Sequence, residues 1–166
     1  MMIKLYKWLA AAVLIVLLPI SGAVAADKLL LTISGSVTKM TANGTVQLSR
    51  KALEAMPRTT FTTSTIWTEG EREFSGVALV DLVEAVGANG TTMKAPALNN
   101  YAVDVPMTDA VKGGPIIAYE LDGKPMSVRE KGPLWLVYPY DSNATYRTET
   151  IYSRSIWQLD RLEVIE

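Results

Sequence analysis

Apolar residues recur along this chain at spacings that shift repeatedly between the two-residue period of a strand and the 3.6-residue period of a helix. From Asp27, LLLTISGSV alternates loosely and ends past Gly35, which predicts a first strand over 27–35 with a bend. Asn43-Gly44 tolerates positive φ at little cost, so KMTANGTVQL is expected to turn there and return as a hairpin. Ser49 can cap a short helix from Arg50 to Met56, stopped by Pro57. The β-branched run TTFTTSTIW predicts a strand from Thr59 to Trp67, followed by a polar connection from Thr68 to Glu73. Ser75 is expected to cap an amphipathic helix carrying Val77, Leu79, Leu82, Val83 and Val86, ended by Gly87. Residues 88–99 read as a loop, YAVDVP as a strand and MTDAV as a single helical turn.

The last third, Pro115 to Glu166, is the part around which the rest is arranged. PIIAYELDGKPM predicts a strand, a tight turn at Asp122-Gly123 and a return. GPLWLVYP holds about five apolar residues between its proline boundaries, which fits a short buried strand and not a helix. YSRSIWQLDRLEVIE sets Arg154, Ser155 and Arg161 among large apolar residues, so cationic and hydroxyl groups are held against a core, the place to look for a ligand. Leu79, Leu82, Val83, Leu134, Leu136 and Leu159 are expected in one core. Short strands mixed with short helices, with no βαβ rhythm, repeat or long linker, indicate an α+β domain with a mixed β-sheet.

Composition narrows the chemistry. Lys4 and Lys7, an apolar run from Trp8 to Leu18 and the triplet Ala23-Val24-Ala25 have the pattern of a cleaved secretory signal peptide over 1–26, too short in its apolar part for the roughly 20 residues of a membrane span. The rest, 27–166, is expected to be one exported domain, periplasmic or secreted, with no stable membrane insertion. Losing Lys4 and Lys7 takes the 16 basic residues to 14 against 17 acidic ones, a formal charge of −3 that argues against nucleic-acid binding. Cysteine and histidine are both absent, which removes disulfides, thiolate nucleophiles, Ser-His-Asp triads and the usual ligands of zinc and iron. No catalytic residue and no metal site is assigned.

Five stretches carry a resemblance in the right order. IAYELDGKPM, KGPLWLVYPY and RSIWQLDRLEV resemble the "LAYEMNGEPL", "GGPLRLVVPG" and "KSVKWLTRIEV" segments of the oxidoreductase molybdopterin-binding domain, the sulfite-oxidase-type fold. FSGVALVDLVEAVGA and YAVDVPMTDAV resemble its "FSGVPLRDLLEEAG" and "YRESLPLEDAL". The likeness runs from about Leu29 to the end and implies a sulfite-oxidase-type molybdopterin-binding fold. In that family a cysteine in a C-x-E-G segment supplies a thiolate to molybdenum; the matching segment here is Trp67-Thr68-Glu69-Gly70. Trp135 likewise stands where the family often has an arginine.

What the resemblance retains is the phosphate-type contact. Arg154 and Ser155 match the "KS" of "KSVKW", and Arg147 with Tyr146 would complete an anion pocket. The plainer reading pairs Arg154 with Glu149, Asp141 or another carboxylate. Glu69, Glu71, Glu73 and Arg72 read as a solvated connection, and Tyr138, Tyr140 and Asp141 as a pocket mouth or a core rim. Trp67, Trp135 and Trp157 are expected to fill the space a cofactor takes in relatives. The favoured reading is a non-catalytic envelope module for a small anionic ligand or a protein partner, with Arg154, Ser155, Arg147, Trp67 and Tyr138 at its pocket and no cofactor expected. The alternative is a molybdopterin-dependent oxidoreductase, or its subunit, holding the cofactor through Arg154 and Ser155.

Overall fold

The computed structural model describes residues 27–41 and 43–166, so the expected signal peptide over 1–26 lies outside the described residues. Two five-stranded sheets make the body. The first runs β2-β1-β10-β5-β6, from β1 (Leu29–Gly35), β2 (Val46–Ser49), β5 (Thr92–Pro96), β6 (Ala102–Pro106) and β10 (Arg161–Ile165). The second runs β3-β4-β7-β8, from β3 (Arg58–Ser64), β4 (Glu71–Ala78), β7 (Ile116–Leu121) and β8 (Lys124–Pro125), with β9 (Trp135–Val137) also on β7. β1 and β10 pair in parallel and every other ladder is antiparallel, which makes the architecture mixed. Three short helices, α1 (Arg50–Glu54), α2 (Leu79–Val86) and α3 (Glu149–Arg154), complete an α+β fold.

The turn chemistry works as the sequence suggests. Ser49 accepts a hydrogen bond from the Ala52 amide and starts α1. Gly87 closes α2 in the left-handed region, at φ 63, as a C′ glycine does. Asp122 and Gly123 take positive φ between β7 and β8, where Asp122 is tied back to β4 through the Glu73 backbone. The six leucine and valine positions assigned to the core all join it, Val83 partly exposed and the other five buried.

Three expectations need correction. Ser75 does not cap α2: it is buried in β4, its hydroxyl 2.8 Å from that of Thr60, and Ala78 occupies the cap position. No side chain is needed there, because the Pro115 carbonyl accepts from the Leu79 amide at 2.9 Å. The polar connection is shorter than Thr68–Glu73, since Glu71–Glu73 already pair with Ser64–Thr62 on β3. Within residues 88–99, Thr92–Pro96 is a strand: β5 hydrogen-bonds to both β10 and β6, and only Met93 and Ala95 point into the core. Among the described residues no helix is long and apolar enough to cross a membrane.

Candidate functional site

Trp67 follows β3 in a turn that Thr65 organises. The Thr65 hydroxyl accepts from the Trp67 amide at 3.0 Å and lies 2.8 Å from the Thr68 hydroxyl. This points the indole into a group of rings: Trp157 at 5.5 Å between centroids, Tyr152 at 5.8 Å, Trp135 at 6.0 Å and Tyr140 at 6.3 Å, all close to edge-to-face. That is the geometry the aromatic quadrupole favours. Trp135 and Trp157 touch as well, at 6.2 Å, so the three tryptophans expected to gather do so.

Beside this cluster lies a cleft of about 370 Å³. Trp67, Tyr101, Tyr152 and Trp157 give it aromatic walls, and Asn99 and Gln158 give it amides. None of its lining side chains is charged. Gln158 has φ 55 and Asn100, between two lining residues, has φ 65, a backbone conformation that non-glycine residues adopt at a cost. Tyr101, Tyr152, Asn99 and Gln158 were not among the residues singled out from sequence. Their only sequence signal is the Asn99-Asn100 turn preceding an aromatic; the positive φ at Gln158 has none.

The five residues expected at the pocket divide between three places. Trp67 and Ser155 line the cleft. The Ser155 hydroxyl is already committed: it donates to the Ile151 carbonyl at 2.9 Å and accepts from the Tyr140 hydroxyl at 2.6 Å. Arg154 and Tyr138 instead meet at Asp109, at the end of the 3-10 turn Met107–Asp109. Arg154 Nη1 donates to both carboxylate oxygens, at 3.1 and 2.9 Å, and the Tyr138 hydroxyl donates to Oδ2 at 2.7 Å. Arg154 therefore has a structural carboxylate, as the plainer reading expects, but it is Asp109 and neither Glu149 nor Asp141, and Arg154 sits at the end of α3.

Arg147 is in the third place. It is exposed, and its charge helps hold the Asp141 carboxyl below the usual range, after the larger effect of hydrogen bonds from the Ser64 backbone and hydroxyl. Burial pushes the Tyr138 phenol up, and the Asp109 carboxylate adds to the shift. Burial likewise raises Tyr140, with the Ser155 bond opposing. These tyrosines are neutral donors at any physiological pH. Arg72, in the charged stretch after Trp67, pairs with Asp122.

The donor set does not fit the metal that the resemblance implies. The chain has no cysteine or histidine, and the residue that the resemblance matches to the thiolate is an indole packed against four rings. Among the described residues no group of three or more His, Cys, Asp or Glu side chains converges on a common point. Trp135, at the position the resemblance matches to an arginine, is fully buried with its Nε1 unpartnered and lines neither the cleft nor any other cavity described, so it supplies no contact to a pterin. The cation meant for a phosphate is neutralised by Asp109.

The fold is similar to that of the sulfane dehydrogenase SoxCD from Paracoccus pantotrophus, with a TM-score of 0.62 and 21% identity over 81% of this chain and 37% of that one. The present chain thus spans well under half the length of that relative. No curated protein matches it. The family model for the oxidoreductase molybdopterin binding domain matches residues 18–145, most of the chain, including β1 to β9 and the Trp67 turn. With the mixed sheets and short helices of the sulfite-oxidase-type fold also in place, the chain belongs to the oxidoreductase molybdopterin-binding domain family.

Proposed function

We propose that this chain is a non-catalytic member of its family, an exported ligand-binding module of the cell envelope that uses the aromatic cleft in place of a metal centre. The observation that carries this reading is Trp67: the residue at the expected thiolate position is a packing residue shared by four aromatic neighbours. An indole cannot ligate molybdenum, and no other side chain of the chain supplies sulfur from cysteine or nitrogen from histidine. The cleft that remains has uncharged amides over aromatic walls, the surface on which a small ligand stacks and is oriented by a few polar groups.

A second reading keeps the oxidoreductase alternative, and family membership favours it: a pterin retained without the thiolate, with Arg154 and Ser155 as contacts. Against it stand the Asp109–Arg154 pair and the two hydrogen bonds that occupy Ser155. Elemental analysis of the protein purified from cells with an active molybdenum-cofactor pathway separates the two. No stoichiometric molybdenum and no pterin fluorescence after denaturation is the expected result. One molybdenum per chain overturns the proposal in favour of the oxidoreductase, and pterin without metal gives a middle case, a cofactor-binding module with Arg154 as its leading contact.

A further inference from the structure

A second cavity, about 480 Å³, lies between the β7–β8 hairpin, the turn Ser127–Gly132 and the start of β4. It shares no lining residue with the aromatic cleft. Its charged residues are Arg72, Lys124, Arg129 and Lys131 against Asp122 and Glu130, a local surplus of two positive charges on a chain whose formal net charge is −1. Both carboxylates are occupied. Asp122 pairs with Arg72 and accepts from the Glu73 amide, and Glu130 closes a capping box with Ser127, accepting from its hydroxyl at 2.9 Å. Lys124, Arg129 and Lys131 have no carboxylate within 4.0 Å among the described residues.

These cations stand on braced backbone. Lys131 takes φ 74, its carbonyl accepts from the Gln158 amide at 2.9 Å, and the Gly132 amide donates to the Ser127 carbonyl at 2.8 Å. The hairpin carrying Lys124 is fastened to β4 through Asp122. Buried Met126 contributes an apolar surface to the cavity. Braced backbone bearing three cations that lack ion pairs, around a concave space, suits recognition of a multiply charged anion, because the backbone part of the entropic cost of bringing the charges together has been met in folding.

We propose that this cavity binds a small polyanion, a molecule with at least two negative oxygens, through Lys124, Arg129 and Lys131. The site reports its own occupancy. The Lys131 ammonium lies 5.0 Å from the Trp157 ring and 5.8 Å from the Trp135 ring, so an anion that draws it away alters the emission of both indoles. Trp157 also lines the aromatic cleft, so its ring lies between that cleft and the Lys131 of this cavity.

The test uses protein purified from expression of the full chain, titrated at fixed low ionic strength with inorganic phosphate and, separately, with citrate. Tryptophan emission and backbone amide shifts are followed together. Saturable changes centred on residues 122–131 are expected with at least one of the two anions, and which one binds tells phosphoryl from carboxylate recognition. The double variant Lys124→Gln/Arg129→Gln, both positions exposed, should keep the wild-type melting temperature and bind at least about tenfold more weakly. Lys51→Gln/Lys94→Gln, exposed and outside the cavity, should bind as wild type. Non-saturable shifts with both anions, shifts spread evenly over the surface lysines, or undiminished affinity in the Lys124/Arg129 variant would each overturn the proposal.

Discussion

Replacing Trp67 by alanine tests whether the indole has become structural. Large-to-small changes of a buried tryptophan cost about 3–5 kcal/mol, from lost transfer energy and the cavity left behind. Each well-oriented aromatic pair adds roughly 0.5–1.5 kcal/mol beyond burial, and Trp67 makes four, at 5.5, 5.8, 6.0 and 6.3 Å. These pairs share one ring and do not add, and Trp67 keeps some exposure at the cleft, so the lower end applies: a loss of about 3 kcal/mol. For a domain of this size that lowers the melting temperature by about 10 °C. Urea unfolding should be followed by circular dichroism, since removing one indole changes the emission signal itself. Trp67→Phe retains a ring and should lose less than half as much. A loss below about 1 kcal/mol for Trp67→Ala would show that the turn holds itself and that the cluster is incidental, which removes the main support for a cleft built on packing.

Arg154→Ala leaves Asp109 partly buried without its cation and should lower stability by about 1–3 kcal/mol in thermal melts, while Arg147→Ala, exposed and outside the cluster, should stay within about 0.5 kcal/mol of wild type. Tyr138 and Tyr140 are held neutral in the folded state but ionise freely once unfolded, so their contribution is complete below the ordinary phenol value of 10.0 and is lost as pH rises above it. Alkaline unfolding followed by phenolate absorbance should therefore begin above that pH, and Tyr138→Phe should flatten the decline. Gly76→Ala would place a Cβ 2.0 Å from the Ile117 carbonyl oxygen, where β4 shifts register against β7, and should cost more than about 3 kcal/mol or abolish soluble expression. Wild-type stability in that variant would mean that the bulge relaxes freely.

Local chemistry determined much of this protein without reference to the rest of the chain. Ser49 caps α1, Gly87 ends α2, Asp122-Gly123 turns the hairpin and the proline-bounded PLWLV is a buried strand, because each depends on residues within a few positions. The ordered motifs were enough to reveal the family, and the absence of cysteine and histidine was enough to remove thiolate and imidazole ligands. Tertiary structure decided the rest. Ser75 has the right chemistry for a helix cap, yet pairing with β3 and β7 on both sides makes its segment a central strand, and the distant Pro115 carbonyl takes over at the helix start. Residues 92–96 became a strand only because β10 and β6 flank them. Arg154, adjacent to Ser155 in sequence, was drawn to a carboxylate 45 residues away while Ser155 stayed at the cleft. Which side chains share a site depends on contacts between segments far apart in the chain, and the spacing of residues along one segment carries no record of them.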